Sequence, residues 1–466
     1  MARFNKVSAE LLDELRHVLG EKGVTVDPEK LETYQTDEEG NPYWFHTPEV
    51  VVFPRTTEEV AEVIKLANKY LVPITPRAAG SGVACGAIPV YHGIVMELDK
   101  MDQILKIDED NLYAIVQTGV RTSVIQQECK QRGLLYAGDP CSADSCQIGG
   151  NVATNAGGNK AVKYGTTRNQ IYGMKIVTPT GDIVDVGARL QKCSTGYCLE
   201  QLICGSEGTL GVVTEITLKL RPLPPCKFDL VAIFDEDAKA FALPNKILKA
   251  GIEPTSIEYM DNKALKMCSN FCKVTLPHVE DNCCYVIITV ETFREDELDT
   301  KMETVCNICE ETGAVEVLEA DDRIWNMRRN IQNSCELVSK VFLTDDVVVP
   351  VHKIAPTIEK IMEIGEDYPF QVKINAHIGD GNLHIVLCKV NMTDEEWAAS
   401  VDKFHHQVYE YAYSVGGRLA GEHGIGAKKL QYMEEFTPSG ELQVMKTIKR
   451  AMDPNNILNP GKLFNA

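Results

Sequence analysis

No run of apolar residues in this chain approaches the roughly 18 that read as a bilayer span, so a membrane-spanning protein is not expected. Basic residues are in deficit: 47 Lys and Arg stand against 67 Asp and Glu, a net charge of -20. That balance argues against sequence-independent binding of nucleic acid, which needs clustered cations to neutralise phosphates. It also disfavours an anionic membrane surface. The N-terminal stretch Met1 to Gly20 carries charges throughout and lacks the apolar core of a secretory signal, so a cytoplasmic location is expected. Internal repeats and low-complexity linkers are missing as well. Of the 16 cysteines, Cys306 and Cys309 form a lone CxxC, Cys283 and Cys284 are adjacent, and the rest are scattered. None has ferredoxin-type spacing, and the set reads as reduced thiols of a reducing cell.

What remains is an ordinary globular composition, 44% hydrophobic and 24% charged, over 466 residues. That length suggests two or three domains. Ser8 can cap a first helix running to about Leu19. Val50 to Phe53 reads as a strand, followed by a capping box at Thr56 to Glu59 and a one-sided helix with Val60, Val63, Ile64 and Ala67 on one face. Segments beginning at Gly93, Tyr113, Gly173 and Gly211 read as strands, with a helix near Ser123 to Arg132. The closely spaced prolines of Arg221 to Pro225 mark a boundary. Beyond it, strands at Leu230 to Phe234, Tyr285 to Thr292 and Ala314 to Leu318 are expected, separated by helices at Ala238 to Ala250 and Glu297 to Thr312. A long helix from about Asp394 to Val415 follows. The pattern is α+β in both halves.

Three glycine-rich stretches stand out. Gly80-Ser81-Gly82 with Gly86 fails as a nicotinamide dinucleotide fingerprint, because the spacing is wrong and the residues after Gly86 read as strand. Ile148 to Gly158 holds four glycines and two asparagines, a composition that lets backbone approach an anion and donate N–H groups to it. Gly205 to Gly211 is the third. Each alone is compatible with a tight turn. Together they favour a large phosphate-bearing cofactor.

A second kind of chemistry is written at Asn375 to His384, NAHIGDGNLH. If Asp380-Gly381 is a two-residue hairpin loop, Ile378 pairs with Leu383 and His377 lies opposite His384. Their Cβ atoms are then roughly 4.5 to 5.5 Å apart, close enough for both imidazoles to hold one ion. Asn375 and Asn382 share that face. A surface hairpin with two unrelated histidines is the alternative.

In order along the chain, PRAAGSG, GDPCSADSCQIGGNVATNAGG and STGYCLEQLICGSEGTLG resemble the FAD-binding domain of the vanillyl-alcohol oxidase and p-cresol methylhydroxylase superfamily. HIGDGNLH, GEHGIG and NPGKLF resemble the C-terminal half of its D-lactate dehydrogenase and glycolate oxidase branch. The resemblance covers about residues 45 to 466. It departs from the family pattern at Ala78 and Ala79, where glycines are usual, and at Cys146, where Thr is common. It implies an N-terminal helical segment (1–44), a two-part FAD-binding domain (45–225), an α+β substrate or cap domain carrying the metal-binding hairpin (226–415), and a C-terminal segment completing the active site (416–466).

By position, the resemblance implies that Arg77, Ala78, Ala79, Gly80, Ser81 and Gly82 wrap the FAD pyrophosphate. Pro140, Ser142, Gly149, Gly150, Asn151, Asn155, Ala156, Gly157 and Gly158 would line the rest of the cofactor, with Gly208 near the adenosine or flavin. Cys141 and Cys146 leave a covalent flavin link open. Catalytic metal sites usually have three protein ligands and an open position. His377 and His384 supply two, and Glu422 is the best third, for one divalent ion (Zn, Fe or Mn). His423 beside it is the candidate base, Asn382 a neighbour of the substrate, and Arg328 in the Trp-x-x-Arg segment the carboxylate recogniser, with Arg323 and Arg329 as competitors. The implied reaction oxidises a D-2-hydroxy acid to the 2-keto acid, D-lactate ahead of glycolate. The chain resembles the lactate dehydrogenase subunit of acetogens and clostridia, and that resemblance implies electron transfer to a two-subunit electron-transferring flavoprotein and through it to NAD, with electron bifurcation. Open alternatives are a glycolate oxidase flavoprotein subunit with an iron–sulfur or quinone-linked acceptor, a metallohydrolase whose glycine loops bind a phosphate, and a noncatalytic electron-relay subunit. Self-association is left open.

Overall fold

The computed structural model describes residues 4–465. Its contacts divide the chain into two compact units, the first formed by Met1–Gly157, Thr166–Leu223 and His423–Ala466, the second by Gly158–Gly165 and Pro224–Glu422. Two chain crossings therefore lie outside the proline-marked boundary: the short excursion at Gly158–Gly165, and the return after Glu422.

In the first unit, Ser8 caps the helix Ala9–Leu19 by accepting from Leu11 N–H, and Thr56 caps Thr57–Tyr70 by accepting from Glu59 N–H. Glu59 reaches back to Arg55 N–H rather than to the cap residue itself. Both helices bury their apolar face on a four-stranded sheet ordered Val24–Thr25, Val50–Val52, Ile94–Glu97, Ile74–Arg77. Its last three strands run parallel, as expected of strands linked by a helical crossover. Residues 86 to 93 are turns rather than strand, and the next strand begins only at Ile94. A five-stranded antiparallel sheet follows, ordered Ile104–Asp108, Tyr113–Gln117, Val212–Lys219, Ile171–Val177, Ile183–Gly187. Its core gathers Val116, Ile125, Ile148, Val152, Ile176 and Ile216.

The second unit is built on one seven-stranded antiparallel sheet, in the order Glu316–Glu319, Cys226–Phe234, Cys284–Thr292, Ser256–Met260, Gln371–His377, Asn382–Cys388, Phe342–Val348. The expected single helix from Ala238 is broken into Asp237–Ala240 and Leu243–Lys249; Pro244, lacking an N–H, is tolerated in the first turn of the second piece. Strands Gln371–His377 and Asn382–Cys388 are buried along almost their whole length. One face carries Met260, Tyr285 and Ile287 under the helices Asn262–Cys272 and Asp322–Arg329. Along that same face, where side chains alternate with period two, the sheet also presents Glu258, Asn375, His377, Asn382, His384 and Asp346. Buried polar groups are costly unless partnered, so this strip needs a chemical explanation. Thr393 and Glu396 form a capping box at the start of the long helix Asp394–Ser414. No helix among the described residues is long and apolar enough to cross a membrane.

Candidate active site

The hairpin register differs from the sequence expectation. His377 pairs with Asn382 and Asn375 with His384, so the loop is four residues, Ile378 to Gly381, rather than two. Asp380 and Gly381 N–H groups donate to His377 O, and Asp380 Oδ1 accepts from Asn382 N–H. Gly381 adopts φ +93°, and a Cβ there would run into Val349 O. The sum of paired residue numbers moves by two, which preserves the face of every side chain. His377 and His384 are consequently diagonal neighbours, their ring centroids 5.0 Å apart.

Glu422 completes this cluster within the second unit. Its Oε1 lies 3.2 Å from His384 Nε2 and 3.7 Å from His377 Nε2, and one ligand atom from each of the three residues falls within 4.8 Å of the others. Asp346, directly opposite His384 in the sheet, accepts from the N–H groups of Gly421 (2.7 Å) and Glu422 (2.8 Å), which fixes the backbone carrying the carboxylate. Burial disfavours the charge on Glu422, yet the imidazoles of His377 and His384 beside it hold its carboxyl well below the usual range. Burial likewise opposes a charged His377, but Glu258 and Glu422 beside it outweigh that and hold its pKa well above the ordinary value. His377 Nε2 and Asn382 Oδ1 are buried with no hydrogen-bond partner among the described residues. A donor set of two imidazoles and a carboxylate, with an unpaired buried nitrogen, fits a divalent cation such as Zn.

Arg328 is buried on the helix Asp322–Arg329 and donates from Nε (2.9 Å) and Nη2 (2.6 Å) to Glu258 Oε2. The competing Arg323 is exposed and pairs with Asp321. Glu258 and Asp346 were not foreseen. Glu258 lies on the short strand Ser256–Met260, all five residues of which are buried. The acidic Asp345-Asp346 pair inside an apolar strand was the signal available for the other.

In the first unit the three glycine-rich segments converge. The second is not an open loop: Ile148–Thr154 is a short helix. Its first turn abuts Thr118, whose O accepts from Gly149 N–H (2.8 Å) and whose Oγ1 occupies the place of a Gly149 Cβ. Gly150 comes beside Ala78 of the first segment, with 3.6 Å between a Cβ built there and that of Ala78. The third segment docks on the same helix, Gly205 N–H donating to Val152 O and Glu207 N–H to Ala153 O. Gly208, at φ +69°, sits against Pro76. Arg77 is buried; its Nη1 donates to Thr36 O (2.7 Å) and its guanidinium fills the place of a Gly80 side chain, so it holds the Ala78–Gly82 loop from behind. A Cβ at Gly82 would meet open space, leaving that backbone approachable.

Other cofactor candidates serve the scaffold. Asn151 donates to Thr122 Oγ1 (2.6 Å), and Asn155, in the left-handed conformation, accepts from Thr166 Oγ1 and Arg168 N–H. Ala156 O accepts from Thr167, and Gly157 ends this stretch of the unit. Pro140 and Ser142 carbonyls accept turn bonds from Ala143, Ser145 and Cys146. Cys146 is buried against Thr122, whereas Cys141 is exposed. Gly158 opens the short segment Gly158–Gly165 that belongs to the second unit.

His423 opens the returning segment of the first unit. Glu207 was also missed; it anchors that segment, accepting from Ile425 N–H at Oε1 and Gly426 N–H at Oε2, both at 2.7 Å. Gly424 rests against Glu207, and Gly426 against Ala84 O.

Residues 48–187 match the family described as FAD binding domain, and residues 229–463 match FAD linked oxidases, C-terminal domain. The chain is 36% identical over 470 residues to a D-lactate dehydrogenase of Anaerostipes hadrus, covering 99% of this chain and 98% of that protein. It is 33% identical to glycolate oxidase subunit GlcD of Bacillus subtilis (strain 168), over 91% of each. Identity to a D-2-hydroxyglutarate dehydrogenase of Stutzerimonas stutzeri (strain A1501) is 32%, over 98% and 99%. The fold is shared with p-cresol methylhydroxylase, at a TM-score of 0.80 and 18% identity over 97% of this chain and 96% of that one.

Proposed function

The chain belongs to the FAD-linked oxidases, with the two-domain fold of the vanillyl-alcohol oxidase and p-cresol methylhydroxylase type, and from that premise we propose that it is a metal-dependent D-2-hydroxy acid dehydrogenase acting on D-lactate. The observation that carries the reading is the meeting of Glu422 with His377 and His384 of the buried strip, in a chain similar over nearly its whole length to a D-lactate dehydrogenase. The metallohydrolase alternative loses its premise, because the first two glycine segments fall within a matched FAD-binding domain.

FAD, when bound, would supply the hydride acceptor, and a divalent ion that His377, His384 and Glu422 would hold would supply Lewis acidity that lowers the pKa of the substrate hydroxyl. The protein's own groups do the rest. Arg328 binds the substrate carboxylate, and Asn382, opposite His377 in the sheet, carries an amide oxygen able to accept from the substrate hydroxyl. His423 accepts the hydroxyl proton on its imidazole. The glycine-rich backbone of Ala78 to Gly82 and the helix Ile148–Thr154 bind the cofactor, and the buried strip around Glu258 keeps bulk water from the ligands.

Electrons then pass to an electron-transferring flavoprotein and on to NAD. This part of the proposal rests on the resemblance of the chain's motifs to lactate dehydrogenase subunits that work with such a flavoprotein. Glycolate is the second substrate reading, favoured by the likeness to the GlcD subunit. The test is anaerobic mixing of the yellow protein with D-lactate, L-lactate, glycolate and D-2-hydroxyglutarate. D-lactate should bleach the flavin fastest; preferential bleaching by glycolate or by the L-isomer would refute the assignment. Reoxidation by an electron-transferring flavoprotein, against a quinone analogue, tests the acceptor.

A further inference from the structure

Glu258 is completely buried, and each of its carboxylate oxygens has a different task. Oε1 lies 2.7 Å from His377 Nδ1. Oε2 accepts from Arg328 Nε and Nη2 at 2.9 and 2.6 Å. The sheet register places Glu258 directly opposite His377, so the first contact is built into the pairing of two strands. An ionised carboxylate paired with arginine can only accept hydrogen bonds, so His377 Nδ1 must carry the proton it donates. Nε2 is then the ring atom left to bind a cation, and it is the atom that faces Glu422.

We propose that Glu258 is a positioning residue that sets the tautomer and ring orientation of His377 with one oxygen and locks the guanidinium of Arg328 with the other. It touches neither substrate nor metal. Through it, the group proposed to bind the substrate carboxylate and a proposed metal ligand share one rigid support. The inference rests on His377 being a ligand, and goes beyond that reading by assigning what orients it. Outer partners of this kind commonly change metal affinity by roughly 10- to 100-fold when removed.

The experiment uses the full-length, FAD-loaded protein, stripped of metal by a chelator and titrated with Zn in competition with a chromogenic chelator. Glu258→Gln keeps the volume, but its amide has a single acceptor oxygen, which can serve His377 or Arg328 and not both. Zn affinity should fall roughly 10- to 100-fold, KM for D-lactate should rise, and FAD content should be unchanged. Glu258→Asp, which keeps both acceptors, should recover part of the Zn affinity. If the Gln variant does not fold, the double variant Glu258→Gln, Arg328→Met decides, since its amide oxygen is released to His377. Zn affinity should then stay within a few-fold of wild type while KM for D-lactate rises; a loss as large as in His377→Ala would overturn the proposal. Zn affinity within twofold of wild type in Glu258→Gln together with an unchanged KM for D-lactate, alongside loss of Zn in His377→Ala, would also overturn it and leave the ligand assignment standing. Unchanged Zn affinity in His377→Ala would instead remove the ligand assignment on which the proposal rests.

Discussion

Replacing Glu207 by Gln should damage catalysis although no residue proposed to touch substrate is substituted. The Glu207 side chain is 6% exposed, and its two oxygens each accept one backbone N–H, from Ile425 and Gly426, at 2.7 Å. Glutamine preserves the volume but offers one acceptor and one NH2 group, so one of the two buried N–H groups faces a donor. Leaving a buried donor unsatisfied costs about 1–3 kcal/mol. The loosened bond lies two or three residues from His423, and a catalytic group misplaced by about 1 Å can lose on the order of 100-fold in rate. Urea unfolding should therefore show a loss of about 1–3 kcal/mol. Stopped-flow reduction of the flavin by D-lactate should slow by roughly 10- to 100-fold, with FAD still bound. A variant that matches wild type in both stability and reduction rate would refute the claim that this carboxylate holds the His423 segment.

Two further outcomes follow from the first unit. Gly149→Ala would set a methyl group on Thr118 Oγ1, a side chain 1% exposed with no room to retreat; a loss of about 1–3 kcal/mol from overpacking and lower FAD occupancy are expected, and a normally loaded, equally stable variant would contradict the packing. Asp37, with its carboxyl pushed up to about 6 by burial against the pull of Glu39 N–H and of Arg77, Lys428 and Lys462, holds its proton more tightly folded than unfolded. Its contribution to stability is thus full below the unfolded value and lost as pH rises through about 6, by at most about 3 kcal/mol. Asp37→Asn should gain in Tm over wild type as the pH is raised from acid to pH 8, and a gain that shrinks with rising pH would be the wrong sign.

Local chemistry was readable in the sequence where one residue decides the outcome. Ser8 and Thr56 cap helices because their hydroxyls accept from specific backbone N–H groups. The two histidines share a face because strand side chains alternate, and that survived a register error: Asp380-Gly381 suggested a two-residue turn, whereas the pairing of Gly381 O with Val349 N–H widens it to four. Contacts between distant segments were not readable. Glycines at 149 and 150 suggested loop, but their missing side chains are what lets the helix Ile148–Thr154 approach Thr118 and Ala78. Glu258 and Glu207 meet partners 119 and 218 residues away, and neither sits in a local pattern that marks it. The division of the chain between Glu422 and His423 is likewise a property of long-range packing.

The central claim is that His377 and His384, with Glu422, hold a metal ion on which hydroxy acid oxidation depends. Metal analysis of the FAD-loaded His377→Ala, His384→Ala double variant, together with its anaerobic reduction by D-lactate, tests it most directly. The account predicts that the variant keeps its FAD, loses the divalent metal that the wild type carries, and no longer bleaches; wild-type metal content in the double variant would contradict it.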